Sequence, residues 1–177
     1  MSAAGTGVRG AVDPWHHRPM PLSRTLGSIT VTALVDGEGP FFQPREQAFP
    51  GATAEHWRAA DARDPGAVTP DGRRWLPFRW VVDGEARLAP AVRLLPTPGH
   101  TPGHQSVPVA AGDERLLVTG DLLVHAVQLV DPELAYAHEM DPATARTSRT
   151  TLLRALPGTT TLSTPHLSAA FAPLRAG

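Results

Sequence analysis

The chain has 177 residues, no cysteine and a formal net charge of −1, which is length enough for one domain with a buried core. A pI of 6.7 and scattered arginines leave no electrostatic footprint for nucleic acid or an anionic membrane, and no apolar run approaches the ~18 residues of a membrane span. Without thiols there is neither a disulfide framework nor a thiolate metal site, so a metal would have to be held by imidazole and carboxylate. No signal-like apolar stretch follows Met1, and a cytoplasmic location is the default expectation. Every basic residue is an arginine, and Lys and Asn are missing altogether. That bias reads as codon usage and gives the arginines no weight as phosphate contacts.

Residues 1–27 carry Gly, Pro, Ala and the pair His16 and His17 without apolar periodicity, and read as a flexible arm ahead of a single domain over 28–177. ITVTALV at 29–35 has the β-branched content of a strand and runs into DGEGP, a turn cluster. Prolines break the pattern from Phe41 to Pro77 except over Thr53 to Ala62, where Thr53 can cap a short helix and Glu55 falls in its first turn. Downstream, AVRLLPT, QSVPVA, RLLVTG and TTTLST read as strands, with GDE at 112–114 turning one hairpin. Asp141 followed by Pro142 starts a second helix, which Pro157 and Gly158 stop after Leu156, and Leu152, Leu153 and Leu156 give it an apolar stripe.

The chemistry concentrates in TPGHTPGH at 97–104, where a Gly-His step in a Pro- and Thr-rich turn puts an imidazole on a tight loop. Asp121 in LLVTGD and His166 in TLSTPH each follow a predicted strand, so three potential ligands project from three strand ends. In motif and spacing the stretch from about Val92 to His166 resembles hydrolases of the metallo-β-lactamase fold superfamily. The resemblance implies an α/β fold, an αββα sandwich of two mostly antiparallel or mixed sheets with outer helices. It also implies up to two zinc ions, His100 and His166 as ligands to one each, and Asp121 bridging both. A small-molecule ester, lactone or thioester would be the substrate, attacked by zinc-bound hydroxide. The second histidine of the motif, His104, is generally not a ligand in that family. His125 and His138 resemble positions near the substrate side.

One part of the pattern is missing. The family's HxHxDH motif supplies four more ligands from a loop upstream of the GHTPGH turn, and no H-x-H occurs anywhere in this sequence. The chain passes from TPDGRRWLPFR through WVVDGEARLAP directly to the strand before GHTPGH, which points to an internal deletion near 78–80 and to a partial sandwich lacking central elements. Each zinc would then keep two protein ligands where a catalytic zinc usually holds three. The expectation is a shortened family member with weak or no activity; the alternative is a binding or assembly protein that keeps only the scaffold, pairing as a homodimer through an exposed sheet edge.

Plainer readings stand beside the metal roles. His100 can be a turn histidine, Asp121 can satisfy turn N–H groups, and His166 can be solvated at a frayed end. Pro102 and Gly103 make His104 part of a turn and suggest a local hydrogen bond for its ring. His125 and His138 are expected to be surface histidines. His16, His17 and His56 lack the spacing to complete a site.

Overall fold

The computed structural model describes residues 23–27, 29–71, 75–81 and 93–175. Two sheets carry the architecture. The first has the order β1 (Ser23–Leu26), β2 (Ile29–Pro40), β3 (Trp75–Val81), and both of its pairings are antiparallel. The second has the order β4 (Leu95–Pro96), β5 (Gln105–Ala111), β6 (Glu114–Val118), β7 (Thr161–Ser163), β8 (Ala172–Pro173). Only its β6–β7 pair is parallel, so this sheet is mixed.

Alternation along β6 shows how the layers stack. Leu116 and Leu117 are fully buried neighbours that point to opposite faces of the sheet. Leu116 joins Leu26, Val31 and Val109 between the two sheets. Leu117 joins Leu123, Leu153 and Leu162 beneath α4 (Pro142–Ala155). A third cluster gathers Phe41, Phe49, Trp57, Val127, Leu134 and Tyr136 around α1 (Arg45–Ala48), α2 (Ala54–Arg63) and α3 (Val127–Val130). Burial of each large aliphatic side chain contributes about 1.5–3 kcal/mol. Two facing sheets with helices outside make a partial αββα sandwich, as expected.

The helix starts follow the sequence. Thr53 caps α2 by accepting from His56 N at 3.3 Å, and His56 Nδ1 accepts from Thr53 N at 3.1 Å, an imidazole taking the place of the usual acid in a capping box. Asp141 caps α4 through Thr144 N at 3.0 Å, with Pro142 at the first helical position. Leu153 is buried and Leu152 and Leu156 pack beside it, as the apolar stripe requires.

Several expectations need correction. DGEGP does not turn: β2 runs through it to Pro40, because β3 keeps pairing alongside, and the irregularity is absorbed as a register shift between Val35 and Gly37. Of AVRLLPT, Leu95 and Pro96 alone are strand among the described residues. Residues 1–22 of the expected arm lie outside the described residues, and Ser23–Leu26 forms β1. β3 spans positions 78–80, where the sequence suggests a deletion, and 82–92 lie outside the described residues. No helix among the described residues is long and apolar enough to cross a membrane.

Candidate functional site

Strand direction brings the three candidate side chains to one end of the inner strands of the second sheet. β6 and β7 are parallel, so Asp121 after β6 and His166 after β7 emerge side by side. β5 runs antiparallel to β6 and therefore starts at that same end, where the 97–104 turn delivers His100. Thr119 N donates to Ser163 O at 2.9 Å and extends the β6–β7 pairing up to the site.

The 97–104 turn is closed by Thr97 N to His104 O at 2.9 Å and His104 N to Thr101 O at 3.2 Å. Beneath it, buried hydroxyls connect Thr97 Oγ1 to Ser106 Oγ at 3.0 Å, and Ser106 Oγ donates to Thr119 O at 2.9 Å. From outside, α4 and the residues before it hold the same turn: Asp141 N donates to Gly99 O at 2.9 Å, Met140 N to His100 O at 3.2 Å, and Ser148 Oγ to Pro98 O at 2.8 Å. His100 thus sits on a turn fixed from two sides.

Asp121 lies in a short 3₁₀ turn, Gly120–Leu122, entered through Gly120 at φ 53°, a backbone region that strains other residues. A Cβ at Gly120 would lie 2.6 Å from His104 Nε2, so the imidazole packs directly against this step. The His104 ring is fixed on its other side, where Nδ1 donates to Thr97 O at 2.9 Å and lies 2.9 Å from Thr97 Oγ1. That bond places the proton on Nδ1 and leaves Nε2 as a bare acceptor, which is buried and finds no partner among the described residues. Burial pushes the His104 pKa below its ordinary value, against the Thr97 carbonyl and the Asp121 charge, which favour protonation.

The three candidates meet at Asp121. His100 Nε2 lies 3.3 Å from Asp121 Oδ2, and His166 Nε2 lies 3.0 Å from Asp121 Oδ1. All three side chains are partly exposed, so His166 is not at a frayed, solvated end. Burial alone would raise the Asp121 pKa; the His166 hydrogen bond and the charges of His166, His100 and His104 outweigh it and lower the carboxyl below its usual range. A lowered folded-state value gives stability that is fully present above the unfolded carboxylate range and is lost as pH falls through the folded value. The Asp121→Asn variant should therefore lose less stability than the parent between pH 7 and about pH 3. Urea unfolding at the two pH values measures this, and equal acid sensitivity in both proteins would contradict it.

Two donors on one tetrahedral zinc stand roughly 3.3 Å apart, so the His100–Asp121 and His166–Asp121 separations each match one edge of a zinc site, with the carboxylate between them. His100 Nδ1 is buried and without a partner among the described residues, a sign that its ring is oriented by packing. The donor chemistry suits zinc, but the donor number does not. Two ligands per ion fall short of the three that a catalytic zinc holds, and among the described residues no group of three His, Asp or Glu side chains could hold an ion. The described residues do not fit a two-zinc catalytic centre.

The other histidines divide. His125, expected at the surface, is 5% exposed: its ring lies 5.5 Å from both Phe49 and Trp57, and Nδ1 accepts from Val127 N at 2.9 Å. The aromatic cluster beneath α2 recruits it, and α3 uses its nitrogen near its start. His138 is exposed, as expected, with Nε2 2.9 Å from Gln43 Nε2. His56 serves the α2 cap and lies 3.8 Å from Asp131. His16 and His17 lie outside the described residues. Tyr136 was missed: its buried ring stacks against His100 at 6.2 Å and an interplanar angle of 10°. Its sequence signal was being the chain's one tyrosine, in the segment between Asp121 and α4.

Known proteins are similar to parts of this chain. Similar solved structures include the hydrolase AbOPH of the beta lactamase superfamily, at 24% identity over 50% of this chain and 35% of that one, with a TM-score of 0.41. AidC, a dizinc quorum-quenching lactonase, is 22% identical over 54% of this chain and 37% of its own, with a TM-score of 0.42. A mutant of AiiA from B. thuringiensis with N-decanoyl-L-homoserine bound at the active site is 32% identical over 42% of this chain and 30% of its own, with a TM-score of 0.34. The chain thus spans 30–37% of the length of these structures. No curated protein matches it. The model of the metallo-beta-lactamase superfamily matches residues 28–166, from just before β2 to the last of the three converging side chains, and the chain belongs to that superfamily.

Proposed function

We propose that the protein is a metallo-hydrolase of this superfamily by descent, built for an ester, lactone or thioester of a small molecule, and that its own hydrolytic activity is weak to absent. The observation that carries this reading is the pairing of both carboxylate oxygens of Asp121 with imidazole nitrogens, in a chain with no HxHxDH motif. His100, Asp121 and His166, which resemble the family's ligands, persist as a set held at one end of the inner strands, while the HxHxDH partners have no counterpart in this sequence. Zinc, where a full ligand set binds it, supplies a hydroxide near neutral pH. In this chain each Nε2 faces the Asp121 carboxylate, and His104 is spent on Thr97 and Gly120, so this group presents no ring nitrogen aimed outward as a general base.

The test is the zinc content of monodisperse full-length protein after exposure to zinc and gel filtration, measured beside hydrolysis of a lactone and an aryl ester. Near zero zinc per chain and hydrolysis at background are expected, because an incomplete ligand set holds far less than the ~10–16 kcal/mol of a complete site. About two zincs per chain, lost in the His100→Ala variant together with hydrolysis, would overturn the reading and mean that other groups complete the site.

A further inference from the structure

The geometry points to Arg149 and Glu139 as a positioning pair that holds the candidate site together from inside α4, independently of whether a metal binds. Arg149 is 1% exposed, and its side chain and that of Glu139 are both withdrawn from solvent. The guanidinium lies 2.8 Å from Glu139 Oε1 through Nη1 and donates to Pro132 O through Nε at 2.8 Å and to Leu134 O through Nη2 at 2.8 Å. Nη1 also reaches Leu122 O at 3.5 Å, the residue after Asp121. The second oxygen of Glu139 accepts from Tyr136 N at 3.2 Å.

These contacts fix both partners of the His100–Asp121 pair. One end of the guanidinium reaches the turn that carries Asp121. The same nitrogen, Nη1, pairs with Glu139 and through it fixes the backbone of Tyr136, whose ring stacks with that of His100 at 6.2 Å. The next two residues after Glu139, Met140 and Asp141, donate to His100 O and Gly99 O. A planar guanidinium can make such divergent bonds at once because its N–H groups spread in a fixed fork, whereas a lysine ammonium presents a single point charge. Burial of the ion pair also forbids an alternative loop arrangement in which either charge goes unpartnered. Neither residue touches a reacting group in this arrangement, so both act through the backbone they hold.

The test uses the full-length chain and two readouts. Native-state hydrogen exchange should show the amides of Tyr136, Met140 and Asp141 opening as one unit, with opening free energies that agree in the parent protein. The Arg149→Met/Glu139→Met double variant removes both charges together; in it, exchange at these amides should rise by about tenfold or more while the β5 and β6 amides keep their protection. Nitrogen-15 imidazole spectra should then show the His100 and His166 Nε2 resonances displaced, with Arg149→Lys, which keeps the pair's charge, moving them part of the way. Should the double variant fail to fold, the parent's exchange pattern and Arg149→Lys decide the matter. Unmoved histidine resonances in a folded variant, or independent exchange of Tyr136 and Asp141 in the parent, would overturn the assignment.

Discussion

Gly99→Ala is expected to cost about 4 kcal/mol or more of unfolding free energy, the largest effect of an added methyl group at the described glycines. Gly99 has φ 130°, where side chains are strained, and a Cβ there would stand 2.1 Å from Ala145 N, 2.2 Å from Ala145 Cα and 2.6 Å from Ala145 Cβ. Those atoms belong to the backbone and first side-chain atom of α4 and cannot rotate aside. Either α4 or the turn must retreat, and with that retreat go the bonds from Asp141 N to Gly99 O, Met140 N to His100 O and Ser148 Oγ to Pro98 O. Gly103→Ala is the matched control in the same turn, since nothing lies within 4 Å of its added Cβ. It should change stability by no more than about 0.5 kcal/mol. Urea unfolding of both variants checks the contrast, and a similar cost at the two positions would show that the α4 contact does not matter.

Arg149→Met should lower stability by about 3–5 kcal/mol, the cost of leaving a buried carboxylate without its partner. Glu139 is 7% exposed and loses its cation, while Pro132 O and Leu134 O lose guanidinium donors. Adding Glu139→Met should recover a large part of that loss, because two apolar side chains fill the space without a stranded charge. The recovery is incomplete, since Tyr136 N loses its acceptor; Leu134 O keeps its bond from Gln128 Nε2. Denaturant midpoints of the single and double variants form the cycle, and additive losses would show that the two charges are not coupled.

The local signals proved readable where one short segment contains both partners. Thr53 and Asp141 cap their helices, GDE turns the β5–β6 hairpin, and Pro102 and Gly103 keep the 97–104 segment a turn. Each of these depends on bonds within a few residues, so composition and spacing suffice. DGEGP failed for the opposite reason: its turn chemistry is local, but pairing with β3, about forty residues on, outweighs it.

The sequence by itself determined the superfamily, the candidates His100, Asp121 and His166, and the absence of any H-x-H step, because a motif is a matter of residue identity and order. Only the tertiary structure decided that those three meet at one carboxylate, since their convergence depends on β6 and β7 being parallel and on β5 running against them. It alone decided that His125 belongs to an aromatic core and that Arg149, one of sixteen basic residues with no distinguishing context in the chain, is drawn inside. Burial of a polar group depends on partners brought from distant segments: for Arg149 these are a carboxylate and carbonyls ten to twenty-seven residues away.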